Sequence, residues 1–522
     1  MNQKKYLKYK TKYEQLKNLF VYKDYDTYQK RKNKYLELLN NKINFNNKIY
    51  IIGFGAIGNA LLWLILKLFN IDDYNIIIIE KDDISKFNID KFINKYPKIN
   101  FLFNTKLTYN NYKNVLKDIK TNDIIIDCAY DIGTSDLLLY CNEKGASHIN
   151  SCIQNWNDDN ISKKPKINSL YDHHKYLENI NNLIKNKNFN FLVSMGCNPG
   201  NVSLWVRQGI IEITKHLNID TNDYIDSNSN IEFNKLAQDI NIQTIHISEK
   251  DTQVSSIPKK YDEYCNTWSK TKMSFYGELL SSVELSFGTH EKLPDDFLIK
   301  KYENNFIILN KMGLYTYAQS WLPFHNKFIG NIICHDETYT IGNNLTVKYN
   351  DNIIYKPSIY YVYKPCIDAI NSMYELKEKN EKMQINHRLL TSDIISGKDL
   401  LGLTYFLENG EIFWIGSTLD IIESRNIFDN EINDIINATI LQVIVGYITG
   451  LAYIIFLNNN NIKKGLLIPD DIPLEYMKYQ LPFLGNFVFI NKYNYSISIL
   501  KNNIDSPLIT SNKWLFNNFI ID

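Results

Sequence analysis

The sequence predicts an α/β protein: a doubly wound parallel sheet joined to a second α+β domain built on a mixed sheet. Residues 48–80 read KIYIIGFGAIGNALLWLILKLFNIDDYNIIIIE, an order of apolar strand, glycine turn, apolar helix, apolar strand and acid. Short apolar runs then alternate with helical stretches to about residue 197, as α/β proteins do. Beyond about residue 201 the character changes. Alternating runs at 243–248, 332–341 and 358–363, separated by long aromatic-rich loops, predict the mixed sheet.

The first block carries its own chemistry. Gly53, Gly55 and Gly58 follow the strand in G-x-G-x-x-G spacing, the pattern of a Rossmann-type dinucleotide-binding turn. Gly53 permits the tight turn, Gly55 lets a pyrophosphate approach the backbone, and Gly58 lets the helix sit close to the strand. Ala56 and Ile57 complete the turn, and the free N–H groups of the helix start face the phosphates. Glu80 ends the second strand, where a carboxylate accepts hydrogen bonds from the adenosine ribose and repels a 2′-phosphate. That favours NAD over NADP. Three later loops follow predicted strands and fall where such a sheet places its ligand: 127–131, which opens on Asp127, 150–156 and 196–200. Helices are expected at 134–144, and strands at 147–150 and 191–194.

A chain of 522 residues is long enough for two or three domains. A net charge of +1 gives no bulk electrostatic reason to expect a nucleic-acid partner. Asn, Ile, Lys and Tyr abound throughout, so an isolated Asn or Tyr carries little weight as a site signal. The seven cysteines are scattered without a C-x-x-C, which reads as reduced thiols in a cytoplasmic protein. The nine histidines show no metal-ligand spacing, so no metal is expected. The charged N-terminus lacks the apolar core of a secretory signal. Residues 440–457 are long and apolar enough to be mistaken for a membrane span and carry Gly446 and Gly450 in G-x-x-x-G spacing. Gln442 and Thr449 interrupt them. The expected reading is a buried helix against the parallel sheet, with no membrane partner.

The chain divides into four stretches. Residues 1–45, with Tyr6, Tyr9, Tyr13, Leu16 and Phe20 at helical spacing, read as a basic helical extension on the surface, dispensable for catalysis. Residues 46–200 form the NAD-binding domain and 201–430 a substrate domain. Residues 431–522 are expected to return and pack on the first domain.

Three blocks hold the remaining chemistry. Residues 249–291 contain Glu249, Trp268, Glu278, Glu284, His290 and Glu291; residues 320–341 contain His335 and Glu337; residues 396–399 read SGKD, ending in Asp399. A tryptophan among carboxylates suits an organic cation. Carboxylates neutralise ammonium groups, and an indole face holds a desolvated cation with about 2 kcal/mol. Taken singly, Trp268 reads as core and each glutamate as a solvated loop charge.

Together these blocks resemble the homospermidine synthase family, NAD-dependent polyamine enzymes of the saccharopine-dehydrogenase-like group. GFGAIG, NPG at 198–200, EKDTQ at 249–253, NTWS at 266–269 and GTHE at 288–291 carry the resemblance. SW-P at 320–323, CHDE at 334–337, YKPC at 363–366, ISGKD at 395–399, WIGS at 414–417 and NATILQV at 437–443 continue it in order, over about 48 to 490. The resemblance implies that Trp268 is the cation–π residue near the nicotinamide. It implies that Asn198, Glu249, Glu278, His335 and Asp399 line a polyamine pocket, with Glu284, Glu337 and Gln154 as further substrate contacts. His335 is expected to shuttle protons, because an imidazole titrates near working pH. One departure stands out: Gln154 occupies a place where the family usually has Glu, and an amide cannot neutralise an ammonium. The implied reaction transfers an aminobutyl group from putrescine or spermidine to putrescine, and the family implies a homodimer. A saccharopine- or carboxynorspermidine-type dehydrogenase is the enzymatic alternative, but its carboxylate substrates require arginines, in which these loops are poor. A catalytically silent NAD-binding sensor is the other.

Overall fold

A computed structural model describes residues 20–24, 26–87, 89–156, 169–227, 230–269, 275–292, 298–323, 326–492 and 514–521. The strands Ile49–Ile52 (IYII) and Ile76–Ile79 (IIII) are buried at every position, so near-continuous isoleucine serves both covered faces of a parallel sheet. Ile49 pairs in register with Ile76 on one side and with Ile124 on the other. Among the described residues this sheet has seven parallel strands. Their order is Gly465–Leu467, Asn190–Leu192, Ser147–Asn150, Ile124–Asp127, Ile49–Ile52, Ile76–Ile79 and Asn100–Leu102. Strand order reverses between Ile49–Ile52 and Ile124–Asp127, which opens the crevice where such sheets take their ligands. The expected doubly wound sheet is present, and the helix Thr134–Lys144 and strand Ser147–Asn150 fall where the sequence places them.

The second sheet has twelve strands among the described residues. At its centre Ile242–Asp251 runs parallel to Ser358–Lys364 and antiparallel to Lys398–Leu407, so the sheet is mixed as expected. The run 332–341, expected to alternate as a strand, is divided: the strand Asn326–Ile333 ends, and the helix Glu337–Asn344 begins. Asp336 causes the break. Its carboxylate turns away to bond His174 Nε2 and Ser194 Oγ, each at 3.0 Å, and Glu337 then suits the positive end of the new helix.

The helix Ala438–Asn459 joins the sheets and is buried along almost its whole length. Its glycines show why it is so apolar. A Cβ at Gly446 would stand 1.9 Å from the carbonyl oxygen of Gly196, and one at Gly450 would stand 2.6 Å from Ile149. The G-x-x-x-G spacing therefore seats the helix against the carboxyl end of the parallel sheet. At its other end Thr439 and Gln442 bond to strands of the mixed sheet.

The chain ends also differ from a simple extension and return. The strand Phe20–Asp24 pairs with Asn486–Lys492 at the edge of the mixed sheet, and the helix Tyr28–Asn40 follows it. Residues 1–19 of the expected extension lie outside the described residues. The C-terminal stretch is shared between the sheets: Gly465–Leu467 adds to the parallel one, and Asn486–Lys492 and Ile520–Ile521 add to the mixed one.

Candidate active site

The glycine turn has the geometry a dinucleotide requires. Gly53 has φ of +89°, and a Cβ at Gly58 would lie 2.1 Å from the Gly53 carbonyl oxygen, so both positions need glycine. A Cβ at Gly55 would meet nothing within 4 Å, which leaves space above the start of the helix Ala56–Leu68 for a ligand. Glu80 accepts from the Phe54 N–H at 2.5 Å and the Asp82 N–H at 2.9 Å. It thus stands beside the turn with lone pairs to spare for a ribose. Asp127, at the end of the next strand, accepts from the Ala129 N–H at 3.0 Å, and burial pushes its carboxyl up to about 7. These residues fit a dinucleotide.

Across the crevice lies a cluster of buried acids. Glu249 sits on the central strand of the mixed sheet, 3 % exposed, and accepts from Asn198 Nδ2 at 2.9 Å and from the Tyr361 hydroxyl at 2.6 Å. Asn198 precedes a cis proline in the loop that Gly446 supports from below. Burial raises Glu249 to about 7, against the two hydrogen bonds and His335, which lower it. Asp399 is fully buried on the neighbouring strand, with Oδ2 accepting from Thr439 Oγ1 at 2.6 Å. Burial, then the charges of Glu249 and Asp251, hold its carboxyl well above the usual range. Asp251, which lies directly across from Asp399, is a third buried acid, raised by burial to about 6.

His335 packs its ring 4.7 Å from that of Tyr361. Its Nδ1 is 3.2 Å from both oxygens of Glu337, and its Nε2 is 3.7 Å from Glu278. Burial works to lower the imidazole, but Glu337 and Glu278 prevail and hold it well above its usual value. His335 is therefore cationic at neutral pH. That charge state suits the donating half of the expected proton shuttle.

The structure thus brings together Asn198, Glu249, Asp399, His335, Glu278 and Glu337. Trp268 is half-buried at the edge of the main core, one residue after Thr267, whose carbonyl accepts from Asn437. Glu284 accepts from the Leu170 N–H at 2.8 Å and meets the thiol of Cys334, the residue before His335; burial raises it to about 8. Gln154 braces the loops of the parallel sheet: its Oε1 accepts from the Asp131 N–H at 2.7 Å and its Nε2 donates to Cys152 at 2.7 Å. His290 and Glu291 hold the C-terminal residues, with Glu291 accepting from the Phe516 N–H at 3.0 Å. Sequence reasoning missed Asp251 and Tyr361. Asp251 stood within the EKDTQ string, two residues from Glu249 and therefore on the same strand face, which was the available signal. Tyr361 had none among so many tyrosines.

Glycine turn and strand order give the parallel sheet the architecture of a dinucleotide-binding domain, and buried acids stand beside it. Residues 49–191 match the family model described as saccharopine dehydrogenase NADP binding domain. The chain is 28 % identical over 490 residues to homospermidine synthase of Blastochloris viridis, covering 91 % of this chain and 97 % of that one. It is 27 % identical over 451 residues to homospermidine synthase of Mesorhizobium japonicum, covering 84 % and 88 %. Among solved structures, homospermidine synthase of Legionella pneumophila in complex with NAD is 29 % identical, covers 92 % of this chain and 99 % of that one, and superposes with a TM-score of 0.81. The resemblance to homospermidine synthase seen in the sequence is borne out.

Proposed function

We propose that this chain is a homospermidine synthase. It transfers an aminobutyl group to putrescine, from putrescine with loss of ammonia or from spermidine with loss of 1,3-diaminopropane, and with no net redox change. The observation that carries the reading is the buried patch of Glu249, Asp251 and Asp399, a surplus of negative charge suited to an organic dication. All four arginines of the chain are committed elsewhere. Arg31 pairs with Glu423, Arg207 donates to Ile472 O, Arg388 pairs with Glu263 and Asp393, and Arg425 donates to Ile394 O and Thr391 O. That disfavours substrates of the saccharopine type, whose carboxylates need such partners.

Gly53–Gly58 and Glu80 would hold NAD, which when bound would supply the hydride acceptor and donor. The protein's task is to manage protons and cations. A diamine is a double ammonium at neutral pH, and one end must lose its proton before the adjacent carbon can be oxidised. Glu249, raised to about 7, is suited to take it. The face of Trp268 stabilises the iminium that follows better than water does. His335, held cationic by Glu337 and Glu278, is the proton donor to the departing ammonia. Asn198 and Tyr361 orient the Glu249 carboxylate. Glu278 anchors a distal ammonium. With Gln154 tied to the Asp131 loop, one carboxylate usual in the family is missing, and donor preference shifts accordingly. The enzyme acts in the cytoplasm as a homodimer.

Incubation with putrescine and NAD tests the reading, with products followed by mass spectrometry and NADH by absorbance. Homospermidine and ammonia without NADH accumulation are expected. Stoichiometric NADH would instead make the protein a dehydrogenase, and bound NAD with no product a sensor.

A further inference from the structure

The string Glu249–Gln253 contributes a carboxylate that the reaction above does not use. Asp251 is buried at the end of Ile242–Asp251, in antiparallel register with Asp399. Opposed residues on paired strands project from the same face with Cβ atoms about 5 Å apart. Glu249, two residues back, shares that face. Asp251 Oδ1 accepts from the N–H of Gln253 at 2.8 Å and from its Nε2 at 3.1 Å. Asp251 Oδ2 has no hydrogen bond of ordinary geometry, although the Thr267 hydroxyl faces it. Asp399 repeats the pattern. Its Oδ2 is satisfied by Thr439, while Oδ1 has no donor and the side chain meets the carboxylate of Glu249. The titratable groups facing Asp251 are Glu249 on its own strand, Asp399 on the paired strand, and Tyr363 and Cys366 at the end of Ser358–Lys364. None of these is a cation; the imidazolium of His335 acts on Glu249, where it opposes the effect of burial.

We propose that Asp251 is a positioning residue for the amine-binding carboxylates: as a third acid on one buried face, it makes the empty site keep a proton on the Glu249–Asp399 pair, which the substrate ammonium displaces on entry. The inference rests on the polyamine reading. Carboxylates in contact away from water cannot all ionise together. Burial already raises Glu249 to about 7 and Asp251 to about 6, and Asp399 moves the same way. An ammonium removes that restraint, since it brings a full positive charge and three N–H donors to oxygens that lack one. The O–H of the acid breaks and its proton passes to solvent. The ammonium keeps its own protons, so charge balances without any other reagent. Polyamine binding is then linked to proton release.

Titration calorimetry of the NAD-loaded full-length protein with putrescine, at pH 7 in two buffers of different ionisation heat, counts that proton. Wild type is expected to release about one proton per putrescine. Asp251→Asn keeps an acceptor for the Gln253 N–H but removes the charge. The release is expected to fall by half or more, and the midpoint of the affinity–pH profile to move down by about one pH unit. A wild type that releases no proton overturns the proposal, as does an Asp251→Asn protein that matches wild type in both readings. Asp251→Ala also removes the Gln253 acceptor. A lowered melting temperature in that variant with an unchanged proton count assigns Asp251 to the fold alone and overturns the proposal. If NAD binds but putrescine does not, the polyamine reading itself fails and takes the proposal with it.

Discussion

His335 Nδ1 lies 3.2 Å from both carboxylate oxygens of Glu337, in the first turn of the helix Glu337–Asn344. The imidazole is held well above its ordinary value, so its contribution to stability is complete below about 6.5, the unfolded value. That contribution fades as pH rises through the folded value on the alkaline side. His335→Gln should therefore lose stability relative to wild type in acid and at neutral pH, and the gap should narrow in alkaline buffer. Urea melts across that range check it. Turnover should fall about 100-fold or more, since the variant cannot donate a proton. A gap that widens with pH would contradict the assigned charge.

Glu249 must be ionised to accept a proton, and burial places its titration at about 7. Turnover should rise with pH through that region. Glu249→Gln keeps the shape and can still bond Asn198 and Tyr361, yet it should lower kcat by about 100-fold or more and flatten the acid limb. A variant that retains the same acid limb would move the base to another group.

Gly55 and Gly58 separate binding from folding. A Cβ at Gly55 enters open space, whereas one at Gly58 collides with the Gly53 carbonyl at 2.1 Å. Gly55→Val should melt within a few degrees of wild type and bind NAD at least 10-fold more weakly, because its side chain fills the room left for the pyrophosphate. Gly58→Ala should lose about 1–3 kcal/mol of stability through overpacking. Thermal melts and NAD titrations on the two proteins distinguish these effects, and equal losses of NAD affinity and stability in both would refute the division.

Trp268→Ala should cut turnover by about 30-fold, which corresponds to about 2 kcal/mol of cation–π stabilisation, while Trp268→Phe keeps a π face and most of the rate. Steady-state rates with putrescine decide it. Equal activities in the two variants would remove the cation–π role.

How far the sequence foretold these features depends on how local their physics is. The glycine turn was legible because strand, turn, helix and acid are contiguous, and Gly58 answers a contact with Gly53 inside the motif itself. The helix Ala438–Asn459 was legible as a buried element because its two small residues share one face. The pairing of Asp251 with Asp399 was not, because it exists only through the register of two strands distant in sequence. The charge of His335 was hidden for the same reason: one of its two acids, Glu278, comes from another helix. Run 332–341 misled because its apolar alternation continues past Asp336, which a tertiary bond to His174 turns out of the strand. The hydrogen-bond partner of Glu284 was hidden too, since the start of a helix far upstream supplies it.

Arg31 gives the N-terminal stretch a structural role that its composition does not suggest. The side chain is 2 % exposed, pairs with Glu423, and donates to Asn486 Oδ1 at 3.0 Å and to the Asp26 carbonyl. The same helix packs Tyr35 against Phe428 and Phe483, with ring centroids 5.7 and 5.4 Å away. Deleting residues 1–45 would therefore uncover apolar rings beneath the helix and leave Glu423 without its cation, a loss of about 3 kcal/mol or more. The expectation that the stretch is dispensable for catalysis is thus joined by one for stability: deletion of 1–19 should leave melting temperature and turnover near wild type, whereas deletion of 1–45 should lower the melting temperature by several degrees. Arg31→Met separates the two contributions, since it keeps bulk and removes charge, and should reproduce part of the loss with the helix in place. Melts of the three proteins, with turnover measured well below each transition, settle which part matters. A 1–45 deletion that melts with wild type would show that the Arg31–Glu423 pair and the Tyr35 contacts contribute nothing to the folded state.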